Sequence, residues 1–200
     1  NQFSPRSCSY SNLLCICLLK TTKEGLYLQR FEISKIRGGF QKQCLVNELE
    51  GWMVGADGVI FKTIDGGFTM SRQESGTLRD LSDVYCVTSN AGWSIGRKGT
   101  ILRTLDGGET WQPSESGTRE HLWDVAFVDE WVGYAVGDNG TILNTEDGGV
   151  NWSSQFISGM SLYGINLVDK EIGWAVGSKG AILKTVDGGV TWRTQKSGIT

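Results

Sequence analysis

The sequence predicts an all-β fold built from repeated four-stranded antiparallel units. Three observations predict it: an eight-residue phrase that returns at even spacing, short apolar runs between glycine-rich turns, and the lack of any helical period. The phrase is T-x-D-G-G-x-T-W, complete at residues 104–111 and 185–192. At residues 63–70 Met70 replaces the Trp, and at 145–152 Asn151 replaces the second Thr. Its aspartates fall at positions 65, 106, 147 and 187. That spacing of roughly 41 residues is in the range of propeller blades and solenoid units.

Residues 1–39 are the degenerate part, a half-blade or a non-repeat segment. Two short strands are expected there, at 13–20 and 26–33, with Lys23, Glu24 and Gly25 where a D-G-G turn would sit. From Phe40 onward the units are clear, at about 40–77, 78–118, 119–160 and 161–200. The third shows the pattern best, with a first strand at 122–128 and a turn carrying Asp129, Glu130 and Gly133. The second strand, 134–137, has counterparts beginning at Trp52, Trp93 and Trp174. One of its faces is bulky and the other mostly small, as closely stacked sheets require. Gly137-Asp138-Asn139-Gly140 then predicts a two-residue hairpin loop between glycines of positive φ. A third strand at 141–145, the D-G-G turn and a fourth strand at 150–156 complete the unit. Four strands per unit make a β-propeller of about five blades, four clear and one degenerate. The chain begins with Asn, which suggests a fragment or a processed product.

The D-G-G turn explains its own residues. Its aspartate can accept hydrogen bonds from backbone N–H groups two residues on, while its glycines supply positive φ. The Trp on the next strand covers the turn and fills the space between sheets. Asp65, Gly67, Asp106, Gly108, Trp111, Asp147, Gly149, Trp152, Asp187, Gly189 and Trp192 are therefore structural.

Composition excludes several classes. Charge is nearly balanced, with 19 basic and 22 acidic residues, which argues against nucleic-acid binding. With 28 Gly and 2 Pro the chain suits many tight turns. Cys8, Cys15, Cys17, Cys44 and Cys86 are odd in number and irregular in spacing. They do not read as a disulfide framework and, with one His, make a poor zinc set. Small apolar strand residues are the favoured reading, and the redox compartment stays open. No metal, cofactor or catalytic residue is expected. No apolar run reaches the ~20 residues that span a bilayer, so membrane association would be peripheral at most. Residues 13–19 faintly resemble a signal-peptide core but have no small-residue cleavage site, and Lys20 follows at once.

Function is expected on the rim that carries the loops between second and third strands, because those loops vary while the D-G-G turns do not. Its candidate partner-binding residues are Arg79, Arg97, Lys98, Arg119, His121 and Lys179. Arginine forks suit carboxylate or phosphate, so an acidic peptide is a fitting ligand. Asp57, Asp80, Glu120 and Asp138 are interspersed and weaken the field.

The repeated phrase resembles the Asp-box, or BNR repeat, of sialidases, sortilin-type receptors and related propellers. The longer phrase Gly133-Tyr134-Ala135-Val136-Gly137-Asp138-Asn139-Gly140-Thr141-Ile142-Leu143, followed by the Asp-box and Ser-Gly, resembles the photosystem II stability/assembly factor family. The match covers residues 40–200. The resemblance implies a non-enzymatic, seven-bladed propeller, of which this chain would be a fragment. It also implies binding of a photosystem II reaction-centre subunit, in the thylakoid lumen or a periplasmic or secreted setting. An open ring would expose sheet faces and favour self-association. Two alternatives come from other classes. One is a secreted, sortilin-like propeller binding carbohydrate or peptide. The other is a sialidase-like hydrolase, whose Arg-Ile-Pro signature is missing because neither Pro5 nor Pro113 follows Arg-Ile.

Overall fold

The computed structural model describes the backbone of β1 (Cys17–Thr22) and β2 (Gly25–Arg30), and the whole of residues 39–196. These form four sheets of four strands and one two-stranded sheet, as the all-β expectation requires. The first blade is β3 (Phe40–Leu45), β4 (Gly51–Gly55), β5 (Ile60–Thr63) and β6 (Ser71–Gln73). The second is β7 (Leu81–Cys86), β8 (Gly92–Gly96), β9 (Ile101–Thr104) and β10 (Gln112–Pro113). The third is β11 (Leu122–Phe127), β12 (Gly133–Gly137), β13 (Thr141–Thr145) and β14 (Ser153–Phe156). The fourth is β15 (Leu162–Leu167), β16 (Gly173–Gly177), β17 (Ile182–Thr185) and β18 (Arg193–Thr194). Strands lie in chain order within each blade, and all neighbours are antiparallel.

β1 and β2 pair with Lys20 opposite Tyr27, overlapping the two strands expected near the N-terminus. The remainder of those expected strands, 13–16 and 31–33, lies outside the described residues, as do Cys8 and Cys15.

Blades stack through one repeated contact. The bulky face of a second strand meets the first and third strands of the next blade. Trp52, Val54 and Ile60 pack on Leu81, Val84, Leu102 and Trp111. Trp93, Ile95 and Ile101 pack on Leu122, Val125, Phe127 and Leu143, and Tyr134, Val136 and Ile142 on Leu162, Ile165 and Leu183. Each fully buried Leu or Ile is worth roughly 1.5–3 kcal/mol relative to exposure. On the fourth blade the equivalent face is open, and Val176 is 47% exposed where Val54 and Val136 are fully buried.

Three expectations are corrected. The fourth strand of the third blade begins at Ser153 rather than 150, because Asn151 is still held in the turn by Asp147. In the Gly-x-x-Gly loops the first glycines, Gly55, Gly96, Gly137 and Gly177, are extended, with φ between −162° and −177°. They are glycine because a Cβ would strike the carbonyl of Gly39, Asp80, His121 or Ser161. Positive φ falls instead on Asp57, Lys98, Asn139 and Lys179 together with the second glycine, in short 3-10 turns.

Cysteine is the third correction. Cys44 and Cys86 form a disulfide with Cα atoms 6.0 Å apart, joining β3 to β7. The register shows why they meet. Cys44 faces Trp52 as Tyr85 faces Trp93, and Cys86 faces Gly92 as Phe127 faces Gly133. The Tyr85 and Phe127 rings approach to 6.2 Å at the next junction. The disulfide therefore occupies the place that an aromatic pair fills one blade later.

Candidate functional site

The two rims of the blades differ in kind. On one, each Asp-box is a closed hydrogen-bonded unit. In the second blade Thr104 Oγ1 accepts from the Gly108 N–H at 2.8 Å and donates to Asp106 Oδ1 at 2.8 Å. Asp106 in turn accepts from Thr110 N–H at 3.0 Å and from Thr110 Oγ1 at 2.6 Å. The other three boxes repeat this, with the Asn151 amide in place of the hydroxyl. The sequence placed the aspartate's bond two residues on. That bond is made by the threonine, and the aspartate reaches four residues on. The Thr110 hydroxyl and N–H hold Asp106 down at about 2, and Asn151 holds Asp147 at about 2.

Asp-boxes also bolt blades together. Trp93 Nε1 donates to Gly148 O at 2.9 Å, and the Tyr134 hydroxyl donates to Gly188 O at 2.6 Å. At the first junction Gln73 mediates: its Oε1 accepts from Trp52 and Trp111, and its Nε2 donates to Gly107 O. Ser114 and Gln155 occupy the position of Gln73 in the next two blades; Gln155 Nε2 donates to Gly189 O, and Trp152 Nε1 and Trp192 Nε1 are buried without an acceptor.

The opposite rim is the candidate site. Its 3-10 turns lie beside the residue that precedes each first strand: Arg97 N–H donates to Asp80 O, Asp138 N–H to His121 O, and Ser178 N–H to Ser161 O. Every first strand carries a bulge at its second residue, which breaks the pleat and turns Gln41, Ser82, Trp123 and Tyr163 out of register. Trp123 stacks on His121 at 3.8 Å and meets Tyr163 edge-on at 5.9 Å. Both are exposed. Their signal in the sequence was the imperfect alternation around Leu122-Trp123-Asp124, which did not by itself indicate a bulge.

The predicted residues fall into two groups. Asp138, Arg97 and Asp80 are near enough to act electrostatically on His121. Arg97 Nε pairs with Asp80 Oδ2 at 3.0 Å, and Asp138 Oδ1 accepts from Trp123 Nε1 at 2.8 Å. Glu120 accepts from the Asn139 amide at 2.9 Å. Burial lowers the pKa of His121, with Asp138 opposing, and its Nε2 lies 2.6 Å from Ser82 Oγ. His121 is thus a neutral ring rather than a cation at pH 7. Arg79 reaches the Thr100 hydroxyl at 3.4 Å, and Lys179 donates to Gly159 O at 2.8 Å, just ahead of its own blade. Arg79, Lys98, Arg119 and Lys179 make no ion pair among the described residues.

Further in, at the bulges, lies a polar cluster, buried at Asp83 and open at Lys42, that sequence reasoning missed. Asp83 and Asp124 accept from the N–H of Val125 and Ile165 on the next first strand, at 3.0 and 2.7 Å. Lys42 holds the same register position in the first blade and stands 3.8 and 3.5 Å from the two carboxylates. Burial, then the hydrogen bond and charge of Asp124, push Asp83 up to about 8. Among the described residues no group of His, Cys, Asp and Glu is arranged to hold a metal ion. No helix there is long and apolar enough to cross a membrane.

Four-stranded blades, locked on one rim by Asp-boxes and carrying variable loops on the other, define an Asp-box β-propeller. The profile of one such family, described as photosynthesis system II assembly factor YCF48, matches residues 40–113 and 111–162, and the chain belongs to that family. None of the curated proteins matches the sequence. Among solved structures, YCF48 from Cyanidioschyzon merolae superposes with a TM-score of 0.64 at 22% identity. That match covers 80% of this chain and 57% of the other, so the chain spans little more than half that protein's length. A YCF48 bound to a D1 peptide aligns at 18% identity and TM-score 0.45, over 86% of this chain and 72% of that one. A GH74 enzyme of Niastella koreensis aligns at 16% identity and TM-score 0.62, over 78% of this chain and 30% of its own. At such identities the likeness concerns the fold alone.

Proposed function

We propose that this chain is a non-enzymatic, protein-binding scaffold that holds a photosystem II reaction-centre polypeptide on the rim opposite its Asp-boxes. Family membership supports the class of partner, and the D1 peptide on a YCF48 supports the kind of segment. The observation that carries the choice of rim is how its charges are used. Asp80, Glu120 and Asp138 are engaged by Arg97, Asn139 and Trp123, while Arg79, Lys98 and Arg119 make no ion pair among the described residues. Arg79, Lys98 and Arg119 are then open to the carboxylates of an acidic segment, with Asp57, Glu120 and Asp138 keeping their charge beside them. Trp123 and Tyr163 add an aromatic surface next to it.

Those two rings also favour a second reading, a secreted propeller that stacks a sugar on Trp123. Loss of glycan binding in Trp123→Ala, without loss of peptide capture, would select it.

The first reading is tested by pull-down from detergent-solubilised thylakoids at low and high salt. Wild type is compared with Arg97→Glu/Arg119→Glu and with Lys98→Glu/Arg119→Glu, the second of which leaves the Asp80 pair intact. Salt-sensitive capture of reaction-centre subunits, lost in both variants, is expected. Equal capture by all three proteins removes this rim from the proposal.

A further inference from the structure

The Asp-box rim has a surface that the box geometry does not require. The two variable positions of each box point to solvent, and most of them are apolar: Ile64 is 67% exposed, Leu105 56%, Val150 53%, Val186 52% and Val190 74%. Nothing in the hydrogen-bonded turn calls for these side chains, since its side-chain bonds are made by the two Thr and the Asp, with Asn151 for the second Thr in the third box. The hairpin between first and second strands adds Trp131, 61% exposed, whose carbonyl accepts from Gly148 N–H and so fixes it beside the third box. These loops form one continuous surface. Lys62 Nζ of the first blade donates to Ser89 O and Gly107 O of the second. The Thr88 hydroxyl of the second donates to Glu130 of the third, and Lys170 of the fourth pairs with Asp129 of the third at 2.7 Å.

The same surface is acidic. Glu48, Glu109, Glu130, Glu146 and Glu171 are exposed on its loops beside the four box aspartates. Lys170 is spent on Asp129, and Lys62 and Arg103 donate to carbonyls of the neighbouring blade. Exposed aliphatic and aromatic groups set among carboxylates repel an anionic lipid surface and attract cations.

We propose that the Asp-box rim is a second docking surface, which binds a polypeptide segment combining apolar and basic side chains. Charge complementarity selects that occupant: apolar groups of the segment cover Leu105, Trp131 and Val150, while its Lys and Arg pair with Glu109, Glu130 and Glu146. The two rims then take partners of opposite charge, and this one does not depend on what the other binds.

The test is fluorescence anisotropy with a labelled Leu/Lys amphipathic peptide of about 18 residues, roughly five helical turns, and its Leu/Glu counterpart. The wild-type chain is compared with Glu109→Lys/Glu146→Lys, with Leu105→Ser/Val150→Ser, and with Glu74→Lys/Glu115→Lys, acids outside this rim. The expected result is binding of the Leu/Lys peptide alone, weakened roughly tenfold by the first pair and about fivefold by the second. The Glu74/Glu115 pair should change it less than about twofold. No binding by wild type, equal binding of the Leu/Glu peptide, or equal loss in all three variants overturns the proposal. So does a chain whose rim substitutions abolish only its own dimerisation, or one that binds anionic vesicles but not the Leu/Lys peptide.

Discussion

Thr104 shows how much of this fold rests on single hydroxyls. It is fully buried, accepts the Gly108 N–H and orients Asp106, so the turn closes around it. Thr104→Val keeps the shape and strands that N–H, which costs roughly 1–3 kcal/mol. Urea unfolding should show the loss as a lower midpoint with unchanged slope, and a midpoint equal to wild type would deny the threonine its role. Asp83 is the opposite case, a buried carboxyl that folding pushes up to about 8 from an unfolded value near 3.8. A raised pKa means that the folded state holds the proton more tightly. Its contribution is complete below about pH 4 and is lost as pH rises toward 8. Asp83→Asn keeps an acceptor for Val125 N–H and removes the proton, so it should gain stability over wild type progressively from pH 5 to pH 8. Parallel pH profiles for the two proteins would contradict the buried-acid assignment.

Elements were legible in the sequence wherever local chemistry decides them. The Asp-boxes, the alternating second strands and the glycine punctuation placed the second strand of each blade, and all four strands of the third, to within a few residues. What the sequence hid depends on neighbours. The αL residues Asp57, Lys98, Asn139 and Lys179 were masked by flanking glycines, the first of which is required by a close carbonyl. The bulge that exposes Trp123 and Tyr163 has no fixed residue signature. Cys44 and Cys86 looked unpaired because their separation of 42 is one repeat plus one residue, a spacing with meaning only once the blades are stacked. A crosslink over such a loop is worth about 2–4 kcal/mol. Cys44→Ser/Cys86→Ser should therefore unfold at markedly lower urea than wild type, and a reductant should bring wild type down to the double variant. If reductant leaves wild type unchanged, these two cysteines are not joined.

At the scale of the whole molecule the blades form a polar object. One rim presents mixed charge and an aromatic pair, the other acids and apolar groups, and the Lys42–Asp83–Asp124 cluster, buried at Asp83, lies between first strands. Among the described residues the outer face of the fourth blade is uncovered, with Val176 exposed. Candidate site residues were readable as a list of rim positions. Their division into neutralised and available charge was not, because it depends on which carboxylate each side chain reaches. Arg97 reads as part of a cationic rim and is paired with Asp80, whereas Lys98 and Arg119 make no ion pair among the described residues. The decisive measurement is a titration of the folded chain with a labelled acidic reaction-centre peptide, for wild type and for Lys98→Glu/Arg119→Glu. Binding that weakens at least tenfold in the variant, and that fades in both proteins as salt rises, is expected. Equal affinity in the two proteins, with both shown to be folded, would contradict the basic rim as the binding surface.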